Sequence, residues 1–234
     1  MRPRLPEGRH ARNGAAQPIE GRKTALARAD AVGEADPAVD IRTADRADID
    51  GLTTTLAAAF QEDPLWRWVF PDPAALEVWW RFYITSAVRY PFVRIAGDYA
   101  AVAVWIPPGG TELTQQEDEQ VESRLRELIG ARTAAVMELL ARFEACHPHQ
   151  PPHYYLTLLG VHPEHRGRGV GMGLLAENLA LMDEERVPAY LESSNPANDR
   201  RYRAVGFEPV GAFTTPDGRH TVTTMWRDVP GAGG

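Results

Sequence analysis

The segment HPEHRGRGVGMGLL, residues 162–175, places four glycines and two arginines between an apolar run and a helical pattern. A glycine-rich turn between a strand and a helix exposes backbone N–H groups at the positive end of the helix dipole, where an anion binds without a charged side chain. The segment therefore predicts a phosphate-binding turn inside an α/β domain.

Two common phosphate motifs do not fit this turn. The nucleotide P-loop requires Gly-x-x-x-x-Gly-Lys-Ser/Thr, and the one lysine of the chain is Lys23. The dinucleotide fingerprint requires a third glycine after two intervening residues that follow Gly-x-Gly, a position held here by Met172 or Leu174, depending on the register. Neither type of nucleotide site is predicted.

Strand and helix patterns alternate around the turn. The order strand, helix, strand predicts a right-handed crossover with parallel pairing, and antiparallel hairpins are expected on both sides. The sequence thus favours a mixed central sheet flanked by helices. The expected strands begin at Ile41 and cover residues 92–96, 99–106, 154–161, 189–193, 207–214 and 220–226. A first helix is expected to end at Phe60, and short helical pieces are expected around Pro64, Pro71 and Pro73. Further helices are expected at 114–145, 169–185 and 198–205.

Length and composition bound the domain organisation. A chain of 234 residues that is 44% hydrophobic suffices for one well-buried domain. Residues 1–40 are rich in Arg, Ala, Gly, Pro and acidic residues and have no Phe, Trp or Tyr, which predicts a disordered tail. We expect the folded domain at 41–228 and a flexible C-terminus at 229–234.

Charge and residue usage exclude several classes of protein. A net charge of −7 disfavours a nucleic-acid binder, and no stretch reaches the ~20 apolar residues of a membrane helix. The N-terminus lacks the apolar core of a signal peptide, so we expect a cytoplasmic protein. Cys146, the single cysteine, excludes an internal disulfide, and the scarcity of lysine relative to arginine suggests a GC-rich bacterial genome.

The pattern Arg166-x-x-Gly169-x-Gly171 resembles the pyrophosphate-binding signature of the GNAT superfamily of N-acetyltransferases. An apolar strand end with Val161 and Pro163 precedes it, as in that family. Downstream, Asn195, Tyr202 and the pair Gly206-Phe207 have the family's spacing. A closer resemblance is to puromycin N-acetyltransferase-like members, through segments 56–60, 100–105, 187–189 and 191–194.

The resemblance implies a single GNAT-type α/β domain, with a mixed central β-sheet splayed at the cofactor strand and flanked by helices. It also implies acetyl-CoA as the cofactor, held by the main chain of the strand and by the glycine turn. In the puromycin-type members the recurrent asparagine lies closer to Asn198 than to Asn195, so both stay candidates. The implied cofactor-binding residues are Leu159, Val161, Arg166, Gly167, Arg168, Gly169, Val170, Gly171, Asn195 and Asn198.

Acetyl transfer to an amine requires a neutral nucleophile and a proton for the departing thiolate. Tyr202 matches the family tyrosine near the sulfur; its alternative is a packing role on the sheet. Glu192, at the end of a central strand, is the favoured general base, acting through water. A substrate anchor or a carboxylate at the surface is the alternative for Glu192.

The acceptor is expected to meet Asp63, Trp66, Trp68 and Phe70. For Asp63, a helix-capping role in Glu62-Asp63-Pro64 is the alternative, and for the aromatic residues it is core packing. Histidines 147, 149 and 153 lie in a proline-rich stretch without zinc spacing, so we expect a solvated loop and no metal site.

These residues predict an acetyl-CoA-dependent N-acetyltransferase that acts on a primary amine of a small molecule of antibiotic, nucleoside or aminosugar type, with antibiotic resistance as a biological role. Two alternatives stay open, a protein lysine or N-terminal acetyltransferase and a non-catalytic acyl-CoA sensor. A homodimer is one option for the assembly. The acceptor, the acyl length and the oligomeric state are left open.

Overall fold

The computed structural model describes residues 40–231. The predicted tail, apart from Asp40, and residues 232–234 of the predicted C-terminus lie outside this range, so both predictions stand as such.

Seven strands form one mixed sheet in the order β1-β2-β3-β4-β5-β7-β6. Only β4 and β5 pair in parallel among the described strands, and the other neighbours are antiparallel. The predicted mixed sheet is therefore confirmed. The strands are β1 Ile41–Thr43, β2 Val93–Ala96, β3 Ala101–Ile106, β4 Tyr154–Val161, β5 Ala189–Ser193, β6 Glu208–Thr214 and β7 Thr221–Arg227.

Helices cover both faces of the sheet, which explains why all six residues of β3 are buried. One hydrophobic core joins the sheet to α1, α3, α5 and α6, and a second joins it to α7. The α-helices are α1 Ile49–Phe60, α2 Pro64–Val69, α3 Pro73–Ala87, α4 Gln115–Asp118, α5 Val121–Ile129, α6 Thr133–Cys146, α7 Val170–Glu185 and α8 Asp199–Arg203. Within residues 40–231 no helix has the length and apolar character required to cross a membrane.

The sheet opens between β4 and β5. The two strands pair only from Tyr154↔Ala189 to Leu156↔Leu191, although β4 continues to Val161. The next residue, Thr157, is skipped in the register with β3, where Val104 pairs with Leu158 and Trp105 with Leu156. A bulge bends the strand that carries it, so the predicted splay at β4 begins where the bulge lies.

The structure differs from the expected helices in two places. The chain after Pro73 forms one helix of 15 residues rather than short pieces, because Asp72 caps it and accepts a hydrogen bond from the Ala74 N–H (3.0 Å). The expected helix at 114–145 is divided into α4, α5 and α6, and Gly130 with φ +55° separates the last two. Residues of α4, α5 and α6 line a cavity next to the β4–β5 opening.

Candidate active site

The predicted phosphate turn lies between β4 and α7. Gly167 and Gly169 have φ of +79° and +78°, which other L-residues adopt only with strain. Gly169 immediately precedes α7, and a Cβ atom added to either glycine would meet nothing within 4 Å. The space on the Cβ side of both glycines is therefore open, and the turn lies at the positive end of a 16-residue helix, where backbone N–H groups favour an anion.

Gly171 serves a different purpose from the two turn glycines. It is buried in the first turn of α7, and a Cβ atom at this position would clash with Cγ2 of Val161. The absent side chain thus allows the helix to start directly against the end of β4.

A cavity of about 610 Å³ lies beside this turn, and we call it the glycine groove. It is bounded by the ends of α1 and β4, the turn itself, the start of α7 and helix α8. Its lining residues are Ala59, Phe60, Glu62, Asp63, Leu159, Val161, His165, Arg166, Gly167, Gly169, Val170, Gly171, Met172, Asn195, Asn198, Arg201 and Tyr202.

Two arginines line the glycine groove. Arg166 Nη2 donates to the Ala59 carbonyl (2.8 Å), which fixes its guanidinium at the end of α1, and Nη1 lies 3.8 Å from Glu62 Oε2. Arg201 Nη1 donates to Asn198 Oδ1 (2.6 Å). Arg168, a predicted cofactor residue, is exposed and lies outside the lining of the groove. Arg201 had no sequence signal beyond its place in the run Asp199-Arg200-Arg201-Tyr202-Arg203.

The two candidate asparagines occupy different positions. Asn195 Oδ1 accepts from the Ala197 N–H (3.1 Å) and caps the short helical turn Pro196–Asn198, and it lines the glycine groove. Asn198 lines that groove and also the second cavity described next.

A second cavity, of about 480 Å³, lies at the other end of the β4–β5 opening, and we call it the carboxylate cavity. Residues of α1 to α6 and of both strands surround it. Five of its described lining residues are acidic and none is Lys or Arg; His147 is its one basic side chain. The acidic residues are Asp63, Glu112, Asp118, Glu144 and Glu192.

Glu192 is a buried carboxylate of this cavity. Its side chain is 3% exposed, and within residues 40–231 neither carboxylate oxygen has a hydrogen-bond partner. Oε1 lies 3.8 Å from His147 Nδ1. Burial raises the pKa of the neighbouring Tyr155 and Tyr190, and the charge of Glu192 raises both pKa values further. An unpartnered carboxylate in a cavity indicates a group that meets a ligand or a water molecule.

Glu112 and Tyr83 form a second polar pair in the carboxylate cavity. The Tyr83 hydroxyl donates to Glu112 Oε1. Burial raises the pKa of Glu112 to about 7, an effect that the Tyr83 hydrogen bond opposes and the nearby charge of Glu192 strengthens. Sequence reasoning missed Glu112, because it follows Pro107-Pro108-Gly109-Gly110 in a stretch without a motif.

The histidine stretch is not the solvated loop that the sequence suggested. His153 is only 8% exposed; its Nδ1 lies 2.9 Å from the Pro151 carbonyl and its Nε2 lies 3.2 Å from His147 Nε2. The prediction was wrong for His153 and for the half-buried His147, because both rings pack against Tyr190. His149 is exposed. Among the described residues, no group of three or more His, Cys, Asp or Glu side chains is arranged to hold a metal ion.

The glycine groove and the carboxylate cavity meet at five shared residues, which we call the junction. Asp63 there caps α2, accepting from the N–H groups of Leu65 (3.0 Å) and Trp66 (3.2 Å), so its capping role is seen directly. Burial raises the pKa of Tyr202 to about 12, and the charges of Asp63 and Asp199 contribute. The Tyr202 phenol therefore keeps its proton at neutral pH. The shared residues are Phe60, Asp63, Leu159, Asn198 and Tyr202.

Of the three aromatic residues expected to meet the acceptor, Trp66, Trp68 and Phe70, only Trp66 lines the carboxylate cavity. The Trp68 indole donates to Asp217 Oδ2 (2.8 Å), and Phe70 is 2% exposed in the core beside Trp79. Neither of these two described side chains lines the carboxylate cavity.

Comparison with known proteins finds similarity to acetyltransferases. Residues 129–207 match the family model of the Acetyltransferase (GNAT) family. A chain from Corynebacterium glutamicum, named histone acetyltransferase HPA2 and related acetyltransferase, aligns at 24% identity and a TM-score of 0.61, over 82% of this chain and 97% of that one. The family match covers 79 of the 234 residues, and the solved structure shows that the two chains share a fold.

Two further proteins are similar to this chain, one in its fold and one in part of its sequence. Arylalkylamine N-acetyltransferase 2 from Aedes aegypti is 13% identical with a TM-score of 0.62, over 82% of this chain and 99% of that one. An uncharacterized protein of Mycobacterium leprae is 33% identical over 95 residues, which are 40% of this chain. The match spans 26% of the length of that relative. The predicted single GNAT-type α/β domain with a mixed sheet is thus confirmed.

Proposed function

We propose that this protein is an acetyl-CoA-dependent N-acetyltransferase that transfers acetyl directly to a primary amine of a small molecule. The observation that carries the proposal is the junction, where an anion-binding groove meets a carboxylate-lined cavity beside Tyr202. Direct transfer needs donor and acceptor side by side, and holding two reactants in this way lowers the barrier chiefly through orientation.

The residues of the glycine groove fit acetyl-CoA. The positive-φ glycines offer backbone N–H groups to a pyrophosphate, with Arg166 and Arg201 on the lining. Among the described strands, β4 has no pairing partner on its β5 side between Thr157 and Val161, so the main chain of Leu159 and Val161 is open to pair with an extended arm. When bound, acetyl-CoA would supply the acetyl thioester.

The residues around the junction supply the proton transfers. The amine nitrogen gains the acetyl group and loses a proton, while the sulfur leaves the acetyl carbon and gains one. Glu192, buried and without a hydrogen-bond partner, is the proposed acceptor of the amine proton through a water molecule. Tyr202 Oη, protonated at neutral pH, is the proposed donor to the thiolate.

The shape of the acceptor site favours a small molecule over a protein. Helices α3 to α6 enclose the carboxylate cavity, and Trp66, Trp80 and Tyr83 are part of its wall. A peptide substrate would require an open groove. The aromatic wall agrees with an antibiotic, nucleoside or aminosugar acceptor, including the aminonucleosides of puromycin type. Structural neighbours named for arylalkylamine and agmatine acetylation belong to the same broad class of amine acetyltransferases.

The non-catalytic sensor is the competing hypothesis. A sensor needs the glycine groove alone, whereas acetyl transfer also requires a proton donor and a base, for which Tyr202 at the junction and Glu192 in the adjoining cavity are the proposed residues. The test is thiol release from acetyl-CoA with a panel of puromycin, aminoglycosides, polyamines and a lysine peptide, combined with calorimetric binding of acetyl-CoA. Turnover with a small amine supports the proposal. Binding of acetyl-CoA without turnover on any amine supports the sensor, and turnover only on the peptide contradicts the small-molecule assignment.

A further inference from the structure

The carboxylate cavity has more acidic side chains than the reaction of one amine requires. A primary amine that attacks a thioester must be neutral when it reacts, so it needs at most one base. The cavity nevertheless presents Glu112 and Glu192 in its lining, in addition to Asp63 at the junction, and no described Lys or Arg side chain accompanies them.

We propose that the acceptor is a dication, with the reacting primary amine at the junction and a second cationic nitrogen held by Glu112, the carboxylate that accepts from the Tyr83 hydroxyl. This inference rests on the proposed function and specifies its substrate class. The part of the acceptor between the two nitrogens would be apolar, because Leu140, Phe143 and Leu158 line the space around the carboxylates.

No described arginine pairs with either of the two carboxylates. Arg89 approaches Glu112 but donates to its backbone carbonyl (3.2 Å) and to Thr111. His147 lies 3.8 Å from Glu192, and its Nε2 is engaged with His153. The Tyr83 hydroxyl is a neutral donor to Glu112. A buried carboxylate without a cation is costly, so a second cation on the ligand would be stabilised strongly here.

The aromatic wall also fits a cation. Trp66, Trp80, Tyr83 and Tyr155 line the same cavity, and an aromatic face attracts an ammonium or guanidinium group. A monoamine with an apolar tail would gain the apolar contacts but would leave the carboxylates unpaired.

The direct test compares cadaverine with pentylamine, a monoamine of equal chain length, in steady-state acetylation and in calorimetric titration. We expect the KM and the Kd of cadaverine to be lower by at least about tenfold, since loss of one partner of a buried charge pair costs several kcal/mol. Cadaverine should also release a proton on binding near neutral pH, because a bound cation lowers the raised pKa of Glu112; titration in buffers of different ionisation enthalpy measures this proton.

Two variants locate the effect. In Glu112→Gln the Kd of pentylamine should exceed that of cadaverine by less than about threefold. In Glu122→Gln, an exposed helix carboxylate paired with Arg126, the ratio of the two Kd values should match that of the unmodified chain. Equal Kd values for cadaverine and pentylamine in the unmodified protein would overturn the dication assignment.

The failure of this inference is distinguishable from the failure of the proposed function. Turnover of pentylamine as efficient as that of cadaverine overturns only the dication. Absence of turnover on both amines, with tight binding of acetyl-CoA and a preference for cadaverine in calorimetry, supports the dication site and contradicts the enzyme.

Discussion

Ser194 donates a hydrogen bond of 2.9 Å to Asp63, a residue 131 positions earlier in the chain. The bond joins the end of β5 to the N-cap of α2 at the place where the two cavities meet. Asp63 thus caps a helix and also lines the junction, two positions that sequence reasoning treated as alternatives. Its carboxylate accepts from the helix N–H groups and lies at the edge of the proposed acceptor site.

Asp63→Asn should separate these two roles. Asparagine caps helices about as well as aspartate, so the free energy of unfolding should change by less than about 1 kcal/mol. Removal of the charge should raise the acceptor KM severalfold while the Kd of acetyl-CoA is unchanged. Urea denaturation and steady-state kinetics measure the two effects. Asp72→Asn, the equivalent change at the cap of α3, is the control, and a similar rise in KM there would argue against a role for the Asp63 charge.

Tyr202→Phe should lower kcat by roughly 10²-fold with little change in the Kd of acetyl-CoA, because the proposed role is proton donation in the transition state. Tyr154→Phe is the matched control: the Tyr154 hydroxyl donates to Glu185 (2.7 Å), and this residue lines neither cavity. Stopped assays of thiol release at saturating amine give kcat for both variants. An unchanged kcat in Tyr202→Phe would remove the tyrosine from the acid role.

Gly169→Val should raise the Kd of acetyl-CoA by at least about tenfold, because the side chain would project into the open space of the turn and strain a φ of +78°. Gly218→Val is a close control, since Gly218 has φ +72°, also faces open space and lies in the turn between β6 and β7. Both variants should lose comparable stability, and only the first should lose affinity in calorimetry. Equal affinities in the two variants would contradict the assignment of the turn.

The sequence was sufficient for the elements whose signals are local. The apolar run of β4, the glycine turn and the helix after it are encoded within residues 154–185, and the structure has them as expected. The family spacing also placed Tyr202 on a helix that reaches the junction. The splay at β4 was likewise expected from the resemblance, and its register with β5 confirms it.

The acceptor side could not be predicted in the same way because its geometry is non-local. Glu112, His147 and Glu192 come from a loop, a helix end and a strand that only the packing of α3 to α6 brings together. Trp68 and Phe70 are large aromatic residues like Trp66. Nevertheless, Trp68 on α2 contacts Asp217, and Phe70 just after α2 is buried in the core. The spacing of aromatic residues in the sequence alone does not distinguish a residue that lines a cavity from one that packs in the core.

The raised pKa of Glu112 predicts a pH dependence of stability with a definite sign. A glutamate carboxyl ordinarily has a pKa of 4.5, whereas burial raises the pKa of Glu112 to about 7, so the folded state binds more protons than the unfolded state between these values. Stability then falls as pH rises through this window. Asp63, whose pKa is also raised by burial, contributes with the same sign. Asp48, whose pKa is lowered by its hydrogen bond to Arg42, acts in the opposite direction at lower pH.

Glu112→Gln isolates the contribution of this one carboxyl, because glutamine keeps an oxygen that accepts from Tyr83 and has no proton to lose. Urea denaturation at about pH 5 and about pH 8 should show that the unmodified protein loses more stability across this interval than the variant does. Glu122→Gln, a change at an exposed carboxylate, should reproduce the unmodified slope. Parallel pH profiles for the unmodified protein and Glu112→Gln would show that Glu112 is ionised in the folded chain throughout this range, and the carboxylate cavity would then be better solvated than its lining indicates.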